Sequence, residues 1–374
     1  MLKGVHLTLM IGPAVPIPAP QPVVEALTSV QVNSGGERSG FQLTFSTATN
    51  SPLLTTMLPA GYFDPIVTRV MIVVTLNGVP NVIMDGFVTR QEIQPSSEPG
   101  QSTLTITGED FSVVMDLVQI VLPYPALPDY ATINLALAKY AFLGIVPVVV
   151  PPPITETRTP MEGWETQTET DLGYVRGVAT RCGYVFYIEP GPLPGQSLAY
   201  FGPDIRIPVP QHALNINMDA HTNVESMSFS LDGLQKELEI VTILDPITRR
   251  IPIPVPIPEI NVFKPPLGAR PTAPSKIVFN NRSASLTFIA ALKHAVAKGM
   301  RSSAAISASG TLDVLVYGHI LRSRLLVGVR GAGLAYDGLY YVDNVTHTIK
   351  AGEYKQNFTL SRDGLISLTP KVMP

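Results

Sequence analysis

The sequence is poor in cysteine and in charge. Cys182 is the single cysteine, which excludes a disulfide scaffold and every zinc site that needs several thiolates. Charged residues make up 15% of the 374 residues, against about 25% in an average soluble domain. Lys and Arg number 26 and Asp and Glu 29, for a formal net charge of -3. This near-neutral balance argues against a protein that reads nucleic-acid sequence or binds phosphate backbones.

Long apolar runs are missing as well, although apolar residues are abundant. No stretch of about 18 apolar residues is free of both charge and proline, so we expect no stable membrane insertion. The hydrophobic content of 45% and the mean hydropathy of +0.24 exclude an intrinsically disordered chain. The 36 prolines argue against a long helical bundle. What remains is a globular chain long enough for two or three domains.

No arrangement of residues typical of catalysis or metal binding stands out. None of the six histidines is spaced to share a helix face with another, and His212 and His221 are nine residues apart. There is no nucleophile-elbow motif and no phosphate-binding loop followed by a helix. We therefore predict no enzymatic activity, no metal site and no cofactor, and interpret the chain as a component of an assembly.

Strand patterns dominate the chain. Residues 67–76 form an apolar, β-branched run that ends at Asn77-Gly78, a strong hairpin turn signal. Further strands are predicted at residues 82–93, 102–107, 323–330, 338–349 and 353–361. We therefore predict a mainly β protein with a few helices, in the α+β class.

Capping residues and apolar spacing predict four helices. Thr107-Gly-Glu-Asp110 has the pattern of a capping box before one of them. Thr170 and Gly183 fit the two ends of another. The remaining two are predicted at residues 129–143 and 285–298.

Two proline-dense segments, residues 15–22 and 251–258, alternate strictly between proline and another residue. One interpretation is a stiff polyproline II linker. The other is an edge strand, because proline at every second position removes the N–H donors from one edge and leaves the other edge able to pair. We hypothesise that one or both segments dock onto a sheet in this way, with a sister subunit as one candidate owner of that sheet. The interface candidates are Val15, Ile17, Ile251, Ile253, Val255, Ile257 and Phe263.

An internal echo links the two ends of the chain. Residues 83–107 and 341–361 each contain an apolar pair, an Asp, a Val-Thr, an Ile, a turn and a strand containing Thr. The echo pairs Asp85 with Asp343, Val88-Thr89 with Val345-Thr346, and Ile93 with Ile349. Chance remains an alternative for so short a match. A true repeat would mean two similar β-domains in each chain, and hence six in a trimer.

These patterns divide the chain into five parts. We predict a proline-rich N-terminal arm at residues 1–22, a first β-barrel domain at 23–122, a helical and mixed middle domain at 123–198, a second β-barrel domain at 199–245 and 310–374, and a proline-rich insert with a helix at 246–309. Two related tube-like barrels are thus joined by a mixed middle region.

The segment from Thr170 to Ile188 resembles a helix-then-strand signature of baseplate hub proteins. Tyr174-Val175 lies in its helix, and Gly183-Tyr-Val-Phe-Tyr187 opens its strand. Residues 198–203 resemble the aromatic-Gly-Pro element that follows, and residues 338–349 with 354–362 resemble the closing hairpin of the second barrel. The families in question are the phage late control D family and the hub half of type VI secretion spike proteins. A basic pair usual early in the helix is reduced here to Arg176.

This resemblance implies a homotrimeric ring with a structural role. Its six barrels would present a pseudo-sixfold surface to the hexameric inner tube of a contractile tail or injection system, nucleate assembly of that tube, and seat a trimeric spike. The implied partners are two further copies of the chain, an inner tube or tube-initiator protein, a spike protein and other baseplate proteins. The spike is expected on a separate polypeptide, since no needle module precedes Pro374. Assembly is expected in the bacterial cytoplasm, and the final location in a virion tail or injection-system baseplate.

A second hypothesis is a secreted β-sandwich protein that binds or cleaves carbohydrate. Glu162, Glu165, Glu169 and Asp171 flank Trp164, the single tryptophan. Carboxylates that converge beside an aromatic platform are what such a site needs. A solvated loop before a helix explains the same residues, so both interpretations stand at this point.

Overall fold

A computed structural model describes most of the chain. The described residues are 4–13, 15–48, 50–98, 101–154, 164–206, 210–244, 252–256, 264–280, 297 and 304–368. The fold is mainly β with a few short helices, which confirms the predicted fold class. The helix predicted at 285–298 lies outside the described residues.

Twenty-three strands are described along the chain. The first seven are β1 (Val5–Pro13), β2 (Ile17–Pro18), β3 (Leu27–Gly35), β4 (Gly40–Ser46), β5 (Thr68–Leu76), β6 (Val79–Gln94) and β7 (Thr103–Asp110). Five belong to the middle: β8 (Leu122–Tyr124), β9 (Ile145–Val149), β10 (Glu165–Gln167), β11 (Val185–Pro190) and β12 (Ser197–Gly202). The rest are β13 (Gln211–Asn215), β14 (Ser226–Leu231), β15 (Glu237–Leu244), β16 (Pro252–Pro256), β17 (Gly268–Pro271), β18 (Lys276–Asn280), β19 (Ile306–Asp313), β20 (Leu326–Arg330), β21 (Gly338–Lys350), β22 (Glu353–Arg362) and β23 (Gly364–Ser367).

The helices are short. They are Gln21–Ala26, Ser112–Met115, Asp129–Ala138, Asp171–Cys182 and Val314–Tyr317, with a π-helical turn at Leu53–Met57 and 3-10 turns at Ala141–Leu143 and Asp219–His221. Thr170 caps one of them as predicted, since its side chain accepts a hydrogen bond from the Gly173 N–H at 3.1 Å. The predicted capping box is wrong. Its residues belong to β7, which pairs with strands on both sides.

Thirteen strands form one sheet, which includes strands from the first part of the chain (β1) and from the last part (β22). Its main path runs β14-β19-β22-β21-β3-β4-β7-β6-β5-β1-β2, while β20 pairs with β21 and β13 pairs with β20. The predicted turn Asn77-Gly78 joins β5 and β6 with positive φ at both residues, as a type I′ hairpin requires. One large apolar cluster, which runs from Val5 to Leu360, lies against this sheet. β1, within the stretch assigned to an arm, pairs with β5 along its whole length.

The two halves of this sheet repeat one strand order. In the first half β3 pairs with β4, β4 with β7, β7 with β6, and β6 with β5. In the second half β14 pairs with β19, β19 with β22, β22 with β21, and β21 with β20. All of these pairs are antiparallel, and the strands follow the same sequence order in both halves. The long insert between β14 and β19 stands where the first half has only the short β3–β4 turn.

A local detail makes the repeat specific. In the first half Ile66 has a φ of 67° and donates its N–H to the Val88 carbonyl at 2.7 Å. In the second half Arg324 has a φ of 62° and donates its N–H to the Val342 carbonyl at the same distance. A positive φ is uncommon outside glycine, so this shared feature equates Val88 with Val342. A β-bulge follows directly after each of these two valines.

The middle of the chain forms a smaller unit with its own core. β9, β12 and β11 make a three-stranded sheet, and the helix Asp171–Cys182 packs nearby. A separate apolar cluster fills this unit, including Leu137, Val175, Val178 and Phe201. Phe87 of β6 belongs to the same cluster, so the unit is anchored on the first half of the main sheet.

Both proline-alternating segments contain a strand at a sheet edge. β2 pairs with β1 at the end of the main sheet, and β16 pairs with β15 at the edge of a three-stranded sheet. Ala19 donates its N–H to the Leu9 carbonyl at 2.8 Å. Neighbouring residues of a strand point their N–H groups to opposite edges, so the Pro18 position faces away from β1. The hypothesis that these segments dock on sheet edges is confirmed, and both edges belong to the same chain.

Candidate functional site

The two halves of the main sheet meet at a junction between β3 and β21. Seven residue pairs span it in antiparallel register, from Asn344 opposite Gly35 to Lys350 opposite Ser29. We call this contact the closed junction. It covers the half of β21 that follows the bulge, on the side opposite to β22. The halves are therefore joined by main-chain hydrogen bonding as well as by packing.

Apolar side chains line the core-facing side of the closed junction. Val30 and Val32 of β3 are 1% and 0% exposed, and Val345 and Ile349 of β21 are 0% and 6% exposed. The opposite side carries Gln31, Asn33 and Thr346, which are polar and uncharged. The junction thus has one dry side and one wet side, as expected for a sheet with one covered face.

Gly35 allows the two strands to approach closely at one end of the closed junction. Its φ is +120°, a conformation that side-chain-bearing residues rarely adopt. A Cβ at this position would lie 2.3 Å from the Asp343 carbonyl oxygen and 2.8 Å from the Asn344 Cα. These contacts are with backbone and cannot be relieved by rotating a side chain. Glycine is therefore required where β3 meets the bulge of β21.

A buried polar network supports the junction from within. His347, opposite Val32, is 3% exposed, and its Nδ1 lies 2.8 Å from the Tyr354 hydroxyl. Gln356 donates from Nε2 to the Leu321 carbonyl at 2.8 Å and accepts the Leu321 N–H at 3.0 Å. Burial lowers the pKa of His347 to about 3, and the positive charge of Arg322 acts in the same direction. The imidazole is therefore neutral at physiological pH.

Arg324 connects the closed junction to the middle unit. Its guanidinium donates to the Gly36 carbonyl at 2.7 Å, in the turn that follows β3. It also lies over the Tyr187 ring at 3.8 Å from the centroid and 3.8 Å from the Glu189 carboxylate. One side chain of the second half thus contacts both other parts of the chain. A cation over an aromatic ring contributes about 0.5–2 kcal/mol depending on its desolvation.

The first half of the sheet carries an open copy of the surface that β3 covers. β6 is equivalent to β21, and its residues after the bulge, Thr89 to Gln94, pair with β7 on one side only within the described residues. Ile93 lies in this stretch and is 47% exposed. Counting from the equivalent valines Val88 and Val342 places Ile93 at the position of His347. The same position is therefore buried in one half and exposed in the other.

The second half carries an open copy of the strand that does the covering. β14 is equivalent to β3, and it ends the main sheet with no further strand beside it among the described residues. Its sequence SMSFSL contains no proline and no charge. Met227 and Phe229 face the core, while Leu231 is 40% exposed. An unprotected edge of this kind invites pairing with another strand. We call the β14 edge and the Thr89–Gln94 stretch together the open junction.

The interface candidates chosen from the sequence lie elsewhere. Val15 is 77% exposed and Ile17, in β2, is 63% exposed. Ile253 and Val255 fall in β16 opposite β15, whereas Ile251, Ile257 and Phe263 lie outside the described residues. Their role at an interface stays a prediction. The sequence reasoning missed Phe229, and it named Ile93 only as a member of the internal echo.

Acidic residues around Trp164 are engaged in contacts with different partners. Glu165 is 2.6 Å from the Arg181 guanidinium. Asp171 accepts from Lys139 at 2.8 Å, Tyr140 at 2.6 Å and Gln167 at 2.8 Å. Trp164 is 49% exposed, and Glu162 lies outside the described residues. Asp171 thus connects the start of its helix to the residues after the helix Asp129–Ala138, and Glu165 connects β10 to the helix Asp171–Cys182.

Metal-binding groups are not gathered anywhere in the described part of the chain. No cluster there contains three or more His, Cys, Asp or Glu side chains placed to hold an ion. His212 stacks on His319 with ring centroids 3.5 Å apart. Among the described helices, none has the length and apolarity to span a bilayer.

Solved structures with the same fold include tail proteins and a component of the type VI secretion system. The tail protein from Neisseria meningitidis MC58 is 13% identical, with a TM-score of 0.64 over 97% of this chain and 98% of that one. The 43 kDa tail protein of prophage MuSo2 from Shewanella oneidensis is 13% identical, with a TM-score of 0.61 over 96% and 100%. An E. coli component of the type VI secretion system, itself structurally similar to the T4 bacteriophage tail proteins gp27 and gp5, is 11% identical, with a TM-score of 0.52 over 93% and 77%.

No protein-family model matches the sequence, and no curated protein does. The chain has the fold of these tail and secretion-system proteins, over nearly its full length in the first two cases.

Proposed function

We propose that this chain is a structural hub of a phage tail or related injection system. Three copies form a ring in which six equivalent β-modules face a hexameric inner tube, while the threefold symmetry of the ring seats a trimeric spike. The hub nucleates the tube by offering six similar docking surfaces at once. It works by geometry and binding, with no bond chemistry.

The duplicated half-sheet is the observation that carries this proposal. One chain contains two modules with the same strand order, joined by a junction whose two surfaces also occur in open form at other places in the chain. An interface in which one surface pairs with a different surface of the next copy is heterologous, and it forms a ring when its rotation closes. Closure of three such chains gives six modules around one axis.

The other expected partners are those that the sequence resemblance implies. Besides two further copies, they are an inner tube or tube-initiator protein, a separate spike protein and other baseplate proteins. The shared fold with tail proteins supports assembly in the bacterial cytoplasm and a final place in the tail or baseplate. The proline-alternating strands and their candidate residues Val15, Ile17, Ile253 and Val255 remain proposed contact surfaces toward these partners.

Electron microscopy of the isolated protein tests the proposal. End-on class averages should show a ring with a central opening and six similar densities, built from three chains. A particle with another number of copies, or a ring without approximate sixfold repetition, would contradict it. Mixing the protein with its tube subunit should shorten the lag before tubes appear, whereas an unchanged lag would contradict the nucleating role.

A further inference from the structure

The closed junction provides a template for the contact between copies. We propose that β14 of one copy pairs in antiparallel fashion with Thr89–Gln94 of β6 in the next copy, with the same register that β3 adopts on β21. The occupant of each open surface is therefore a second copy of this chain. The inference rests on the ring of the proposed function and specifies how its chains are joined.

The strand β6 is aligned with β21 through their shared bulge. Val88 and Val342 each accept the N–H of a residue with positive φ, and the register shifts directly after each of them. Counting onward from the two valines pairs Glu92 with Thr346, Ile93 with His347, and Gln94 with Thr348.

The strand β14 is aligned with β3 through the paired residues that connect each strand to the hairpin with the bulge. That hairpin is β6–β7 in the first half and β21–β22 in the second half. In the first half, Val32 lies opposite Phe41, and Phe41 lies opposite Gly108. In the second half, Phe229 lies opposite Ala308, and Ala308 lies opposite Leu360. Gly108 pairs with Val88, and Leu360 with Val342. Phe229 is therefore the equivalent of Val32, and the flanking serines Ser228 and Ser230 are the equivalents of Gln31 and Asn33.

Transfer of the closed register to the open surfaces now fixes the contact. His347 lies opposite Val32, Thr346 opposite Asn33, and Thr348 opposite Gln31. The same pairs between copies are Ile93 with Phe229, Glu92 with Ser230, and Gln94 with Ser228.

The backbone pairing alone sets this register, and the side chains that it brings together are complementary. Ile93 is 47% exposed and Phe229 faces the core side, so their pairing covers apolar surface on the correct side of the sheet. Glu92, Gln94 and the two serines meet on the polar side. At one end the exposed guanidinium of Arg90 pairs with Glu92 of its own strand at 2.8 Å.

One difference between the two junctions lies at this same end. Asp232 occupies the place that Gly35 holds in β3, and it is absent from the residues with positive φ. The close approach that Gly35 permits is therefore not reproduced there. The proposed contact therefore consists of the three pairs from Glu92 to Gln94, where the backbones do not need to approach so closely.

Within one chain this contact is not made. Among the described residues, β14 pairs only with β19, and the stretch Thr89–Gln94 pairs only with β7. The opposite end of the sheet is β2, whose Pro18 position lacks an outward donor, so it cannot take the place of β14. A second copy brings a matching β6 segment to the β14 edge.

Engineered cysteines test the register. The chain carrying Glu92→Cys and Ser230→Cys should form disulfides between copies on mild oxidation, giving covalent dimers and trimers on a non-reducing gel. The pair Gln94→Cys with Ser228→Cys provides a second test in the same register. Cys182 is buried, and it is replaced by alanine in every variant to remove background.

Two further pairs calibrate the result. Thr346→Cys with Asn33→Cys samples the same geometry inside one chain and should give an intramolecular disulfide. Glu92→Cys with Ser226→Cys is displaced by four residues, about 13 Å along the strand, and should stay reduced. Equal cross-linking of this displaced pair would overturn the proposed register.

The mass of the reduced, unmodified protein separates the two proposals. A trimer in which neither in-register pair cross-links, while the reference pair does, contradicts the inference and leaves the proposed function standing. A chain that stays single at every concentration and gives no cross-link contradicts both. Cross-linked trimers that form with the in-register pairs and do not form with the displaced pair support both proposals.

Discussion

The closed and open junctions use equivalent strands and differ in what covers them. At the closed junction His347 is 3% exposed and Val32 is 0% exposed. At the equivalent positions of the open junction Ile93 is 47% exposed, and Phe229 is only partly buried. Duplication of the module therefore leaves an unpaired copy of its internal interface on each chain. In the proposed ring, copies meet at this surface, and the internal junction is the template for the contact.

The two ends of the main sheet differ in the same sense. β2 ends one side with proline in the outward position, and β14 ends the other with SMSFSL, which has neither proline nor charge. Proline and charge are the usual means by which edge strands avoid unwanted pairing. The protected end is therefore not expected to pair with a further strand, whereas the unprotected end is.

The largest expected effect comes from the close approach at the closed junction. Gly35→Ala should lower the free energy of unfolding by about 3 kcal/mol, because its Cβ meets backbone atoms at a φ that alanine rarely adopts. Gly36→Ala is the matched control, since its φ is +64° but nothing lies within 4 Å, and it should cost about 1 kcal/mol. Urea unfolding measures both. Equal losses would mean that the approach of β3 to β21 does not constrain the chain.

Acid should weaken the closed junction through His347. In the unfolded chain this histidine gains a proton below about pH 6.5, whereas burial lowers its folded pKa to about 3. The contribution is fully present above pH 6.5 and is lost as the pH falls toward 3. Between pH 7 and pH 5 it should remove about 2 kcal/mol from the free energy of unfolding.

The variant His347→Gln isolates this contribution. Its unfolding free energy should fall less steeply between pH 7 and pH 5 than that of the unmodified chain, whatever its absolute stability. His221→Gln is the control, because His221 is exposed and lies outside the closed junction. Identical slopes for the unmodified chain and His347→Gln would contradict the assigned role.

At the open junction a smaller effect is expected, and it should appear in assembly alone. Ile93→Ala removes half-buried methylene groups from each contact between copies, worth about 1 kcal/mol for each junction. The unfolding free energy of the single chain should change by less than about 0.5 kcal/mol. Val79→Ala is the control on the same strand, since Val79 is 61% exposed and lies before the bulge. Sedimentation should show weakened assembly for Ile93→Ala and unchanged assembly for Val79→Ala. The reverse pattern would contradict the placement of the contact.

A small effect on the single chain is also expected at the protected end. Pro18→Val restores an outward N–H on β2 and should change the unfolding free energy by about 0.5 kcal/mol. Light scattering at high concentration should rise, because the edge can now template pairing. Ile17→Val adds no donor and should leave scattering unchanged. No difference between the two variants would mean that proline does not protect this edge.

Local signals gave much of the fold. The Asn77-Gly78 turn and the helix between Thr170 and Gly183 could be predicted because each depends on neighbours in sequence. The capping box at Thr107-Gly-Glu-Asp110 failed because pairing of β7 on both sides outweighs a local capping preference. Asp110 still accepts the Ser112 N–H at 2.9 Å from the end of the strand, although the residue at the N-cap of the short helix Ser112–Met115 is Phe111.

The candidate site could be predicted only in outline. The echo identified the right two hairpins, but it paired Ile93 with Ile349, whereas the bulges equate Ile93 with His347. It also paired Val88 with Val345, whereas the bulges equate Val88 with Val342. The slip is two residues at Ile93 and three at Val88, because the bulge positions that set the register are not visible in the sequence. Burial of a histidine opposite Val32 depends on β3, which lies over 300 residues away in sequence. No pattern within one segment carries that information.

Native mass spectrometry of the purified chain tests the central claim most directly. Two linked modules with one closed and one open junction predict a species of three times the 40.3 kDa chain mass, and Ile93→Ala should shift its population toward single chains. A stable single chain at every concentration, or a ring of two, four or six chains, would contradict the account.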